Sequence, residues 1–124
     1  MVIIGLKEDF TICKVEDLSE IDFNDPFCFL GITDEELSLV CQTEKTPQNT
    51  THREDGWKAM RIQGELDFSL VGILANISTI LAEKKIGIFA ISTYNTDYIL
   101  VKENQLNQAF QALREAGYTI VDPT

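Results

Sequence analysis

Apolar residues recur along this chain in two rhythms, a two-residue alternation in short runs and a helical spacing in two longer ones, and the second half shows both. "WKAMRIQG" (57–64) reads as a strand, with Trp57, Ala59 and Arg61 on one side and Lys58, Met60 and Ile62 on the other. In "DFSLVGILANISTILAEKK", Leu70, Val71, Leu74, Ile77, Ile80 and Leu81 fall on one helical stripe. Asp67 or Ser69 suits its N-cap, and Lys84 and Lys85 suit the negative end of its dipole. "IGIFAIS" and "DYILV" then predict two short strands around a polar turn. Asn104 can cap a second helix, "QLNQAFQALREAG", with Leu106, Ala109, Phe110 and Leu113 as its stripe and Gly117 as its left-handed stop. "YTIV" closes as a strand. The order β-α-β-β-α-β is that of an α+β, ferredoxin-like fold: a four-stranded antiparallel sheet with both helices on one face.

The first half reads as an incomplete copy. "FTICKV" (10–15) predicts a strand, "EDLSEI" at most a short helix, and "FCFLGIT" with "ELSLVCQ" a hairpin around Asp34 and Glu35. No second helix stands out. "EKTPQNTTHREDG" (44–56) is polar, lacks periodicity and holds a Pro, so it reads as a linker or exposed loop. That divides the chain into a truncated unit, 1–55, and a complete one, 56–124. His52, the single histidine, lies in the polar stretch and is expected to be solvent-exposed.

At 124 residues there is room for one ordinary domain or two very small ones. No run approaches the roughly 18 apolar residues of a membrane span, and "MVIIGLKEDF" is too short in apolar residues for a signal peptide, so a cytoplasmic location is expected. Cys13, Cys28 and Cys41 make an odd count with no C-x-x-C pair, which fits reduced, buried thiols better than a disulfide framework or a metal site. The net charge of −10 is concentrated in residues 1–55, at −9. Such a chain repels polyphosphates and anionic bilayers, which argues against nucleic-acid and membrane binding.

Two places stand out chemically. Gly72 sits near the start of a strong helix, where a glycine costs roughly 1 kcal/mol relative to alanine. Either the helix packs closely on its sheet there, or a ligand approaches the backbone. The turn Ser92–Asp97 carries six consecutive non-aliphatic residues, far more than a bare hairpin asks for, although ordinary turn chemistry also uses Asn and Asp. Helix-start amides suit a carboxylate and Asp97 suits an ammonium, and together they make a clamp for a zwitterion.

On "GILA" at the helix start and "STYNTDYILV", residues 57–121 resemble the ACT domain, in the branch of CASTOR-type amino-acid sensors and aspartate kinase regulatory domains. "FCFLGITDEELSLVCQ" resembles the truncated ACT-like unit preceding it in that branch. The resemblance implies a non-catalytic regulatory protein that binds an amino acid at an interface between ACT units, often between two chains, without a cofactor or metal. Carried over to matching positions, Val71, Gly72 and Ile73 present backbone to the ligand carboxylate, while Thr93, Tyr94 and Asp97 line the opposite wall, Asp97 on the amino group. The acidic first half leans toward lysine or arginine as ligand. The competing expectation is a homodimeric interaction module without ligand, its open sheet face built from Phe89, Ile91, Ile99 and Val101. An enzyme is disfavoured, because nucleophilic catalysis wants a base and the one histidine is remote.

Overall fold

The computed structural model describes residues 1–63 and 72–123. In chain order these form strands β1 (Val2–Gly5), β2 (Phe10–Val15), β3 (Phe29–Ile32), β4 (Leu37–Gln42) and β5 (Thr50–Ile62), helix α1 (Ile73–Glu83), strands β6 (Phe89–Ser92) and β7 (Asp97–Lys102), helix α2 (Leu106–Glu115) and strand β8 (Thr119–Val121). They fall into two compact units, Glu8–Trp57, and Met1–Lys7 together with Lys58–Thr124. The chain passes from the first to the second after Trp57, within β5. The first seven residues belong with the later unit because β1 bonds to β5 and β8.

The later unit follows the expected β-α-β-β-α-β order from β5 to β8, with sheet order β6-β7-β5-β1-β8. Strand β1 is an addition to the expected four: it lies antiparallel to β5 and parallel to β8. Strand alternation sends Ile3, Met60, Ile62, Ile99 and Val101 into one core with Ile77 and Leu81 of α1 and Ala109, Phe110 and Leu113 of α2. The helical stripes are as expected, with Leu74, Ile80 and Leu106 packed at the margin. Leu70 and Val71, like the expected caps Asp67 and Ser69, lie outside the described residues. Asn104 does not cap α2. It sits inside a 3₁₀ turn, Glu103–Gln105, and the helix begins at Leu106 without a side-chain cap.

The expected open face needs correcting. Across the β6–β7 hairpin, Phe89 pairs with Leu100 and Ile91 with Tyr98, whereas Ile99 pairs with Ala90. Opposed residues share a face, so Phe89 and Ile91 lie with Tyr98 and Leu100, while Ile99 and Val101 face the helices. Reading the two strands separately put them out of phase by one residue.

The Glu8–Trp57 unit has strand order β3-β4-β2-β5 around a small core of Cys13, Val15, Ile21, Leu39 and Cys41. "EDLSEI" forms turns and no helix: the Ser19 N–H donates to Asp17 Oδ1 (2.9 Å), a local bond that competes with helical pairing. A 3₁₀ turn, Thr43–Lys45, follows β4, and β5 comes next without a helix in between. The largest departure from expectation is the polar stretch 44–56, which is strand from Thr50 onward. His52, Arg53 and Glu54 are exposed yet pair with Lys14, Cys13 and Ile12. A strand held by its partner's backbone shows no apolar rhythm of its own. Gly56 (φ +86°) lies where β5 spends one residue more than β2, between the pairs Ile12↔Glu54 and Phe10↔Trp57. A left-handed glycine is what such a bulge requires.

All three cysteines are free, Cys13 and Cys41 buried and Cys28 partly so. Its hydrogen bond with Cys13 and its burial both push the Cys41 thiol far above its ordinary range, so it stays protonated.

The two hairpins follow one template. Elements β3, β4 and the 3₁₀ turn after them recur sixty residues on as β6, β7 and the turn at Glu103, Phe29 answering to Phe89 and Leu37 to Asp97. Each closes through the same bond, Thr33 N–H to Glu36 O (3.1 Å) and Thr93 N–H to Thr96 O (2.8 Å).

Two outcomes are expected. A Cβ at Gly5 would stand 2.9 Å from both Phe110 Cζ and Pro123 Cδ; Gly5→Ala therefore overpacks the core and lowers stability by about 1–3 kcal/mol in denaturant melts. Asp55, hydrogen-bonded by Arg53 and Thr11, has its carboxyl held below the usual range. That contribution to stability is present above the unfolded carboxyl pKa and is lost as pH falls through the depressed folded one. In Thr11→Val the Asp55 pKa rises, read by NMR titration.

Candidate functional site

The β6–β7 turn spends most of its polar groups on itself. Thr93 Oγ1 donates to Thr96 O (2.8 Å), and the buried Thr96 Oγ1 donates to the Ile62 carbonyl (2.8 Å), which pins the turn to the end of β5. Ser92 Oγ donates to Asp97 Oδ1 (2.6 Å) across the first pair of the ladder. Asp97 is half-buried, and its Oδ2 accepts no hydrogen bond among the described residues. Tyr94 is 79% exposed, with its ring outside the turn.

Helix α1 opens on Gly72, whose φ of +88° is left-handed. Its carbonyl accepts the first helical bond from Asn76 N–H (2.8 Å), and no described side chain caps the helix. No described atom lies within 4 Å of where a Cβ would stand. The left-handed backbone angle at the N-cap, outside the helix proper, is by itself a sufficient reason for glycine here. Ile73, the first helical residue, is half-buried against the core, and Val71 lies outside the described residues.

An open cleft of about 690 Å³ lies on the sheet face away from the helices, lined by Ile4, Arg61, Ile62, Gln63, Thr93, Tyr94, Asn95, Thr96 and Tyr98. It brings together Thr93 and Tyr94 of the expected site; Gly72, Ile73 and Asp97 are not among its lining residues. Arg61, which the sequence marked only as one side of a strand, is its cation. Arg61 Nη1 donates to Tyr98 Oη (3.3 Å), and its Cζ stands 5.7 Å from the Tyr98 ring centroid. The available signal was a single arginine alternating with Met60 and Ile62. Among the described residues no cluster of three His, Cys, Asp or Glu can hold a metal, and no helix is long and apolar enough to cross a membrane.

Gly72→Ala is expected to cost about 1–2 kcal/mol through the left-handed backbone alone. Its melting temperature should drop although no described atom crowds the new methyl; an unchanged melting temperature contradicts the assigned role.

The ACT domain family model matches residues 52–115. The cytosolic arginine sensor for mTORC1 subunit 1 of Rattus norvegicus is 31% identical over 107 residues, covering 79% of this chain and 32% of that protein. This chain therefore spans about a third of the length of the curated relatives it matches. A solved protein from Agobacterium tumefaciens is similar over 98% of this chain and 92% of its own, with a TM-score of 0.86 and 28% identity. The aspartate kinase of Clostridium acetobutylicum shares the fold over 92% of this chain and 34% of its own, with a TM-score of 0.64 at 16% identity. The family match covers the helix start, the hairpin and α2 together, and the chain belongs to the ACT domain family.

Proposed function

We propose that this chain is a non-catalytic regulatory module that binds a free amino acid, in the cytoplasm and as a homodimer through its ACT units. The observation that carries the reading is the left-handed start of α1, which no described side chain caps. The first turn of a helix leaves backbone N–H groups unpaired at the positive end of the dipole, a ready receptor for a carboxylate. Val71, Gly72 and Ile73 are the residues assigned to it. Asp97, with a free carboxylate oxygen among the described residues, takes the α-amino group, and Thr93 and Tyr94 line the same wall. Kinship with a protein named as an arginine sensor supports an amino-acid ligand. The charge of −9 over residues 1–55 favours a basic one. The hairpin repeat supports the Glu8–Trp57 unit as a truncated ACT-like copy that lacks both helices.

A second reading, a homodimeric interaction module without ligand, draws on the half-buried Phe89 and Ile91 of the face away from the helices and on Val121, 48% exposed.

Thermal-shift measurements across the twenty amino acids are expected to find one that raises the melting temperature. Asp97→Ala weakens that ligand by about tenfold to a hundredfold, the range for losing a charge-assisted bond. No responsive amino acid, or a response indifferent to Asp97→Ala, sinks the reading. A dimer by light scattering in that case favours the second one.

A further inference from the structure

We propose that the cleft on the sheet face away from the helices takes the carboxylate of a small molecule with a flat apolar body and anchors it on Arg61, a second anchor distinct from the Asp97 of the amino-acid clamp, with which the cleft shares Thr93 and Tyr94.

The charge balance is the first argument. The chain carries 20 acidic residues against 10 basic ones, yet the cleft's described lining has one cation and no carboxylate. The ion pairs of Lys45 with Asp22 and of Arg53 with Asp55 lie elsewhere. Arg61 has instead a neutral partner, the Tyr98 hydroxyl and ring. A guanidinium carries five N–H donors in a planar fork matched to a carboxylate, and the one described bond engages Nη1 alone. An arginine without a counter-ion among the described residues of so acidic a chain is a receptor for an anion from solution.

Rigidity is the second argument. Arg61 lies on a strand paired on both sides, opposite Ile4 of β1 on one flank and beside β7 on the other. The Tyr98 ring holds the guanidinium from below, and the Thr96 bond to the Ile62 carbonyl fixes the hairpin that forms the cleft's rim. A preformed site loses little entropy when its ligand arrives. The remaining lining sets the ligand's body: Ile4, Tyr94 and Tyr98 are apolar or aromatic residues, and Gln63 and Asn95 are neutral amides. A single cation suits a monocarboxylate; a polyphosphate would face the repulsion of the whole chain.

The test is an NMR titration of the full chain with phenylacetate and with phenylacetamide, its neutral isostere. Phenylacetate should shift the backbone resonances of Arg61, Gln63 and Thr93–Tyr98 saturably, and phenylacetamide should bind about tenfold or more weakly, the usual scale for losing one charge-assisted pair. Arg61→Gln should reduce phenylacetate to the level of phenylacetamide, and Arg61→Lys should keep part of the difference. Asp97→Ala should leave this titration unchanged, whatever it does to amino-acid binding. Equal binding of the two compounds, no saturable shift, or a wild-type response in Arg61→Gln overturns the proposal and leaves Arg61 a packing residue on Tyr98. Loss of the phenylacetate response in Asp97→Ala overturns the independence of the Arg61 anchor from Asp97. Should Arg61→Gln fail to fold, the comparison of the two compounds on the unaltered chain still decides.

Discussion

Neighbouring residues of a strand point to opposite faces, so burying Met60 and Ile62 under the helices commits Arg61 to the other side of the sheet. That constraint on β5 organises the whole later unit. It aligns Ile3 of β1 with the core and Ile4 with the cleft, and it fixes where the β6–β7 turn can be tied down. A one-residue slip would bring a guanidinium up against Ile77 and Phe110, at a desolvation cost far above what the apolar packing of that face is worth. Register and charge placement are one and the same decision here.

The later unit was legible because its signals are local and strong. Two amphipathic helices and four short strands each announce themselves within a dozen or so residues, and their order names the fold. The parts that escaped depend on partners distant in sequence. β1 is four residues long and gains meaning only between β5 and β8. The polar half of β5 is a strand because β2 supplies the other side of its ladder. The phase of Ile99 relative to Phe89 depends on the bonds that close the turn, which composition does not reveal.

The candidate site was legible as a set of residue types and less so as an arrangement. Gly72 stands one residue outside the helix, where a left-handed angle by itself calls for glycine, a backbone requirement that spacing along the sequence does not reveal. Thr93 looks like a ligand group in the sequence and acts first, with Thr96, as a fastener of the turn, whereas Arg61 looks like strand surface and lines the cleft. Hydroxyls are versatile enough that their job is set by geometry. A charge opposite a core residue is informative earlier, because a strand has only two faces to offer it.

The paired hairpins differ at the position that matters for electrostatics. Where β6 and β7 begin their ladder with Ser92 opposite Asp97, β3 and β4 place Ile32 opposite Leu37. One hairpin has an acid at this corner and the other an apolar pair. A cationic guest drawn to that corner therefore meets one acid per copy of this 124-residue stretch and not two, although the hairpin occurs twice.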